Sequence, residues 1–235
     1  MLRKISNTTR KEQIEDGLGV RFKYPNLYQP KLMIDGSNEE NIHIITSEDP
    51  FSVDNAIWGL LPARFEDDWQ VFQQAHQTLT VNVNQSHPNV LFKNALDHRR
   101  CLILVSGFFS KRLHEDNLYP FFASNGSNMP LLLAGVYNRL DDGFITATIL
   151  MVDAVDPLKK VQNLSADMPL VIDPKDKDAW LSQDLIREDV EHLLNNNDLQ
   201  INVHPIAKEF YNQNIMFHSM LEPVSYNGIF DNLIS

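Results

Sequence analysis

Short apolar runs separated by polar turns make up the hydrophobic pattern of this chain of 235 residues. Runs of five to eight aliphatic, β-branched and aromatic residues with polar, Gly or Pro boundaries are typical of buried strands. After a short strand at the start, they occur at residues 41–46, 57–62, 101–105, 119–123, 131–137, 145–152, 168–172 and 199–206. The pattern therefore predicts a sheet-rich protein.

Helical signals are fewer. Residues 9–12 (TRKE) fit a capping box, and an apolar i, i+4 pair follows before Gly19. A second helix is predicted over residues 173–181, because Asp caps a helix and Pro suits its first turn. A third is predicted over residues 186–194, where apolar residues recur at helical spacing.

Two polar stretches have no regular period. We predict irregular structure for residues 24–40 and a loop with one helical turn for residues 64–77. No internal repeat or low-complexity linker marks a domain boundary, so residues 1–235 are expected to form a single domain. The pattern as a whole predicts an α+β fold with a sheet-rich core.

The composition is that of an acidic globular protein. Hydrophobic residues make up 43% and charged residues 22%, and the formal net charge is -11. This charge disfavours extended binding to phosphates, although a local basic groove stays compatible with it. No apolar run is long enough to cross a bilayer, and the first residues lack the apolar core of a secretory signal. We therefore expect a cytoplasmic protein that does not contact membranes.

Metal and disulfide chemistry is not expected. Cys101 is the only cysteine and lies in an apolar run, which predicts a buried thiol and excludes an internal disulfide. The eight histidines show no metal-ligand spacing. The sequence therefore predicts neither a metal nor a cofactor.

Several segments, in order, resemble the SOS response-associated peptidase (SRAP) family. Residues 5–9 lead into the first helix as in the family's N-terminal strand and helix, and residues 58–62 (WGLLP) match its WGL[IV]P element. Residues 99–109 (RRCLILVSGFF) resemble its RRCL block, which ends in GFYEW. Matches to its PYF, FAGLWE, RMPVIL and WL elements follow, at residues 119–122, 133–137, 168–172 and 180–181. The resemblance implies a sheet-rich SRAP-like fold, with strongly bent antiparallel strands forming a barrel-like core and a few peripheral helices.

The resemblance also implies a chemistry. SRAP proteins capture abasic sites in single-stranded DNA covalently, through an N-terminal Cys that self-cleavage exposes. The amine and thiol of this Cys condense with the aldehyde of the opened sugar to give a thiazolidine. An Asn, a Glu and a His orient the sugar and move protons, as general acid–base catalysis requires.

The four positions that match these residues hold others. Leu2 stands at the Cys, Thr80 at the Asn, Ser110 at the Glu and Gln162 at the His. Leucine has no nucleophilic atom, and an amide does not titrate. A hydroxyl does not replace a carboxylate in proton transfer without an activating base. The matches therefore imply a divergent, catalytically inactive member of the family.

The resemblance places further residues around the same cleft. Asn82 and Asn84 stand where the family has an Arg and a Glu, Ser106 where it has an Asp, and Arg64 where it has an aromatic wedge. Three other positions keep the family's residue type. Lys4 matches a basic residue near the pocket, Trp58 matches the Trp of WGL[IV]P, and Asn163 matches the Asn of the family's IHN segment. We expect a polar cleft lined by these residues together with Thr80, Ser110 and Gln162.

Three hypotheses follow. The leading one is a pseudoenzyme that binds single-stranded or damaged DNA weakly, or a protein or small ligand, in the old cleft. The second is residual imine or lyase chemistry through the Met1 amine, with Lys4 nearby. The third is a regulatory protein without a nucleic-acid role, for example as the partner of an active paralogue, which the charge of -11 favours.

Overall fold

The structure, a computed structural model, describes residues 2–84, 90–127, 129–184, 201–211, 217–227, 229–230 and 233. The strands are β1 (Lys4–Asn7), β2 (Arg21–Phe22), β3 (Lys31–Asp35), β4 (Asn41–Thr46), β5 (Ser52–Trp58), β6 (Thr80–Asn82), β7 (Arg100–Val105), β8 (Gly107–His114), β9 (Asn117–Ser124), β10 (Leu131–Arg139), β11 (Ile145–Asp153), β12 (Asp167–Pro169), β13 (Val171–Ile172) and β14 (Asn202–Pro205). The helices are α1 (Lys11–Leu18), α2 (Trp69–His76), α3 (Val90–His98), α4 (Leu158–Val161) and α5 (Lys177–Leu181).

A ring of strands forms the centre of the molecule. Strands β11, β10, β7, β4 and β5 are hydrogen-bonded in that order as antiparallel neighbours. Strand β5 then pairs with β11 in parallel, through Thr146 with Ile57 and Ala147 with Trp58. This closure confirms the predicted sheet-rich core with a few helices, and it makes the sheet mixed rather than wholly antiparallel.

A second sheet packs beside the ring and carries the first residues of the chain. Its order is β14, β9, β8, β1 and β3, all antiparallel. The chain leaves the ring at the end of β7 and enters this sheet through Ser106 at the start of β8. Phe108 packs into the main core, whereas Phe109 on the opposite face joins a small cluster with Phe122 and Phe210. Both faces of β8 are therefore covered near its start.

The apolar runs predicted the ring well. Strand β4 has the predicted bounds, and β7, β9, β10 and β11 contain the predicted runs. The run 168–172 is divided between β12, which pairs with β11, and β13, which pairs with β10. The run predicted at 57–62 begins earlier, as β5, and leaves the sheet at Gly59, whose φ of 123° is a conformation that favours glycine.

The polar stretches were predicted less well. Residues 24–40 contain a 3₁₀ turn at Pro25–Leu27 and strand β3, and residues 64–77 contain the two-turn helix α2. Asp68 caps α2 by accepting a hydrogen bond of 2.9 Å from the backbone N–H of Val71. Helix α1 begins at Lys11, and the side chain of Gln13 accepts from the N–H of Arg10, one residue later than the predicted capping box. The helix predicted at 186–194 lies outside the described residues.

A buried arginine joins two helices to the ring. The Arg100 side chain at the start of β7 is 1% exposed. Its Nε donates to the carbonyl of Trp180, and its Nη1 donates to those of Leu96 and Asp97, each at 3.0 Å. Its Nη2 donates to the carbonyl of Ser182. These acceptors belong to the C-terminal ends of α3 and α5, where the helix dipole favours a cation.

Replacing Arg100 with Lys should lower the free energy of unfolding by about 3 kcal/mol, because a single ammonium cannot reach all four carbonyls and leaves several of them buried without a donor. Urea unfolding measures the change. Arg139→Lys is the matched control, since Arg139 is partly exposed and forms a surface ion pair with Glu48. Equal urea midpoints for the two variants would contradict this stabilising role of Arg100.

His43 is the buried titratable group of strand β4. Its ring packs edge-on against Tyr28 at 4.7 Å and Phe22 at 5.9 Å between centroids, and its Nδ1 is buried without a hydrogen-bond partner among the described residues. Burial, with a smaller contribution from the charge of Lys31, lowers the pKa of His43 to about 4. The imidazole is therefore neutral in the folded protein near neutral pH.

This group makes stability depend on pH. The unfolded chain takes up a proton on His43 as the pH falls below about 6.5, whereas the folded chain does so only near 4. As the pH falls from about 6.5 to about 4, protonation of His43 in the unfolded chain therefore lowers the free energy of unfolding by up to roughly 3 kcal/mol. Urea unfolding at several pH values should show that His43→Leu loses this part of the pH dependence. His98→Leu, at the exposed end of α3, controls for loss of an imidazole, and an unchanged slope in His43→Leu would contradict the prediction.

Candidate functional site

A cleft of about 350 Å³ opens where the first strand begins. Strand β8 forms one wall, and the segment 162–169 forms the other. The side chains that matter for its chemistry are those of Leu2, Lys4, Ser110, Lys111, Gln162 and Asp167. Residues far apart in the chain thus meet at one opening.

The position of the cleft follows from strand pairing. Strand β1 pairs with β8 only through Ile5 with Phe108 and Ser6 with Gly107. Strand β8 continues to His114 and stays paired with β9 on its other side. Within the described chain, the edge of β8 beyond Phe108 therefore has no neighbouring strand and opens onto the cleft. Leu2 precedes β1 and is 8% exposed, packed in the main core at the cleft.

Ser110 and Gln162 form a hydrogen-bonded pair in the cleft wall. The Ser110 hydroxyl donates to Gln162 Oε1 at 2.9 Å, and Gln162 Nε2 donates to the backbone carbonyl of Asp167 at 2.9 Å. Gln162 is 9% exposed, so its amide is held by protein groups more than by water. The carbonyl of Asp167 requires a donor, which fixes the orientation of the amide. Neither side chain carries a charge or titrates near neutral pH.

Strand β6 is joined to the cleft wall by a hydrogen bond to Asp167. Asn82 Nδ2 donates to Asp167 Oδ1 at 3.0 Å, and the backbone N–H of Asn84 donates to Asn82 Oδ1 at 2.8 Å. Asn82 therefore holds the carboxylate of the cleft wall and does not itself line the opening. Thr80 lies two residues earlier in β6, paired with Ile149 of β11, and is half-buried behind the wall.

Basic side chains surround the mouth of the cleft. Arg3, Lys4 and Lys111 all line it, and Lys4 forms an ion pair with Asp35 of β3. Burial raises the pKa of Asp35, but the hydrogen bonds from Lys4 and Ser37 outweigh this and leave the pKa below its usual value. Burial, the charge of Lys4 and that of Arg3 lower the pKa of Lys111, while Asp35 opposes them. Three cationic side chains thus line the cleft, with the carboxylates of Asp167 in its wall and of Asp35 beside Lys4.

Two residues that we expected in the cleft lie elsewhere. Trp58 is fully buried in the core, where its Nε1 donates to the carbonyl of Leu79 at 2.9 Å. The Arg64 side chain is 90% exposed and lies 3.7 Å from the carboxylate of Asp141. The indole of Trp58 packs inside the ring of strands, and the guanidinium of Arg64 is exposed to water. Neither residue lines the cleft.

Two others have structural roles beside the cleft. The Ser106 hydroxyl accepts hydrogen bonds from the backbone N–H and hydroxyl of Thr8 and donates to the hydroxyl of Ser6, each at 3.1 Å. Asn163 bonds the backbone of Leu113 with both ends of its amide, at 2.9 and 2.8 Å. Both side chains fasten β8 to its neighbours and do not line the cleft.

Arg3 and Lys111 were not among the predicted cleft residues. Neither lies in an apolar run, and charged residues between such runs usually face water. Only the end of the β1 pairing reveals that they border an opening. Cys101, by contrast, is buried as predicted, and burial raises the pKa of its thiol well above the usual range.

Two broader features are absent from the residues that the structure describes. No group of three or more His, Cys, Asp or Glu side chains that could hold a metal ion occurs there. No helix among these residues is long and apolar enough to span a membrane.

Comparisons with known proteins point to one family. A family model described as SOS response associated peptidase (SRAP) matches residues 1–213. The chain is 26% identical over 140 residues to the Saccharomyces cerevisiae abasic site processing protein YMR114C. This match covers 58% of this chain and only 37% of the yeast protein. It is 19% identical over 203 residues to the Escherichia coli abasic site processing protein YedK, covering 83% of this chain and 81% of that protein.

Solved structures show the same fold. A crystal structure of a protein from Bacteroides thetaiotaomicron superposes with a TM-score of 0.82 at 18% identity, covering 94% of this chain and 99% of that one. One from Bordetella bronchiseptica superposes with a TM-score of 0.68 at 13% identity, covering 87% of this chain and 99% of that one. At these identities the likeness concerns the fold alone.

The Ser110–Gln162 pair can be tested by a double-mutant cycle. Gln162→Leu should lower the free energy of unfolding by about 2 kcal/mol, because the Ser110 hydroxyl loses its acceptor and the Asp167 carbonyl keeps only a long hydrogen bond of 3.4 Å from the Ser165 hydroxyl. Ser110→Ala should cost less in the Gln162→Leu background than alone, as coupled partners require. Gln74→Leu, on the exposed face of α2, is the control. Additive effects on the free energy of unfolding in urea would show that the Ser110–Gln162 hydrogen bond contributes nothing to stability.

Proposed function

Because the chain belongs to the SOS response-associated peptidase (SRAP) family, we propose that it binds single-stranded DNA at abasic sites without forming the family's thiazolidine cross-link. Family membership and the relatives named as abasic site processing proteins support a role related to DNA damage. The finer proposal is a pseudoenzyme that holds damaged DNA in the cleft at the start of β1.

One observation carries this proposal. Leu2, Ser110 and Gln162, which the resemblance assigns to the nucleophile, the Glu and the His, all line the same cleft. Ser110 and Gln162 are separated by 52 residues in the chain and are hydrogen-bonded to each other. Such convergence is expected if the assignments are right, since catalytic groups must surround one reacting sugar. The three side chains offer an alkyl group, a hydroxyl and an amide in place of a thiol, a carboxylate and an imidazole.

The charge distribution supports DNA as the ligand. The formal charge of -11 repels a nucleic acid from most of the surface. At the cleft mouth Arg3, Lys4 and Lys111 outnumber the nearby carboxylates of Asp35 and Asp167, and a phosphodiester next to an abasic sugar would lie there. Binding is therefore confined to one short site and is weak, because few phosphates are neutralised.

The test is fluorescence anisotropy with single-stranded oligonucleotides, with and without an abasic site, over a range of salt concentrations. Neutralising two to three phosphates gives a slope of roughly -2 in log affinity against log salt. Arg3→Gln should weaken binding and make this slope shallower by about 0.7, because one phosphate contact is lost. Lys23→Gln is the matched control, since Lys23 is exposed and pairs with Asp49 and Asp54 away from the cleft.

Denaturing gels complete the experiment. Wild-type protein should leave no adduct that survives denaturation, whereas Leu2→Cys should gain one wherever mass spectrometry shows that Met1 has been removed. An N-terminal amine and thiol close a ring with an aldehyde held beside them. A wild-type adduct that survives denaturation, or no DNA binding by the wild type, would overturn the proposed function.

A further inference from the structure

We propose that Lys111 is an aldehyde-binding amine in this cleft, whose Nζ condenses reversibly with the aldehyde of an opened abasic sugar to form an imine. The inference rests on the proposed function for its ligand, since it needs abasic DNA in the cleft. It goes beyond that function by giving the chain a reversible covalent chemistry at a residue outside the positions replaced in the family site.

The geometry of β8 brings Lys111 to the cleft. Lys111 directly follows Ser110, and both residues lie on the part of β8 that extends past the pairing with β1. Its partner on the other edge is Pro120 of β9, so the backbone at this point is held in the sheet. A long side chain on a fixed strand can therefore reach a ligand that enters between β8 and the segment 162–169.

The electrostatic setting suits an amine nucleophile. An amine attacks a carbonyl only in its neutral form, which burial and nearby cations favour. Lys111 is exposed at the cleft mouth. Partial desolvation there and the charges of Lys4 and Arg3 lower its pKa below that of an ordinary lysine, although Asp35 opposes them. Arg3 does not deprotonate, so it stays a fixed positive neighbour.

Lys4 is the other amine that lines the cleft, and its setting differs. Its ammonium forms an ion pair with Asp35, the last residue of β3. Lys111 lies on β8, in the wall that faces the segment 162–169. The Met1 amine of the second hypothesis lies outside the described residues.

The reaction balances without an added oxidant or reductant. The neutral Nζ of Lys111 forms a bond to the C1 aldehyde carbon, and the carbonyl electron pair moves to oxygen. The nitrogen loses one proton and the oxygen gains one, which gives a neutral carbinolamine. The carbinolamine takes one proton from solvent, loses water and becomes an iminium. Water reverses both steps, so hydrolysis of the imine restores the free lysine and releases the DNA. Reversibility agrees with the absence of a denaturation-resistant adduct expected above.

Borohydride trapping tests the inference, because hydride reduces an iminium to a stable secondary amine. Wild-type protein and Lys111→Arg are each saturated with abasic oligonucleotide, as judged by anisotropy, and the trapped yield per bound complex is measured on denaturing gels. Arginine keeps the charge but stays protonated, so the yield should fall by about tenfold or more. Lys23→Arg, away from the cleft, is the control and should be trapped like the wild type.

Peptide mapping of the trapped wild-type complex locates the modified residue. An adduct on Lys111 supports the inference, and an adduct on the Met1 amine or on Lys4 overturns it. A complex that binds abasic DNA without being trapped overturns the imine chemistry and leaves the proposed function standing. No binding in the anisotropy assay overturns both, so the two failures are distinguishable.

Discussion

The buried guanidinium of Arg100 is the constraint on which the arrangement of the chain depends. A cation removed from water must find acceptors for its donors, and here they are the C-terminal carbonyls of α3 and α5. The start of β7 is thereby fixed against two helices. Its other end leads through Ser106 into β8, whose wall-forming edge creates the cleft. The strand that leads into the cleft wall is thus anchored at its start by these hydrogen bonds.

The cleft replaces titrating groups with fixed hydrogen bonds. A carboxylate and an imidazole in this position would change charge as they exchange protons, and each would need solvent or a counter-charge in every state. The Ser110 hydroxyl and the Gln162 amide satisfy each other and the Asp167 carbonyl without any charge. The orientation of both side chains is therefore fixed by hydrogen bonds that do not depend on proton exchange.

Three cationic side chains lie together at the mouth of the cleft. Arg3, Lys4 and Lys111 lie together although the chain carries a formal charge of -11. Acidic residues elsewhere lower non-specific affinity for nucleic acid, so local cations determine where an anion can bind. Burial and the charges of Lys4 and Arg3 also lower the pKa of Lys111. The proposed DNA binding and the proposed imine chemistry therefore depend on the same group of cations.

The sequence alone determined the sheet-rich α+β class, four strands of the ring (β4, β7, β10 and β11), the burial of Cys101 and the family. Its motifs also singled out Leu2, Ser110 and Gln162, which prove to share a cleft. These features depend on local apolar runs and on short motifs, which a single stretch of chain displays. Strands β3 and β8 escaped prediction because polar residues interrupt their runs, and only their pairing partners stabilise them.

Tertiary structure decided which polar residues face the cleft. Trp58 and Ser106 lie in the packed interior and in a hydrogen-bonded junction, while Arg3 and Lys111 border the opening. The physical reason is that a side chain's surroundings depend on which strand lies next to it. The cleft exists because the pairing of β1 with β8 ends at Phe108, and strand register between distant segments is a property of the folded sheet, not of either segment.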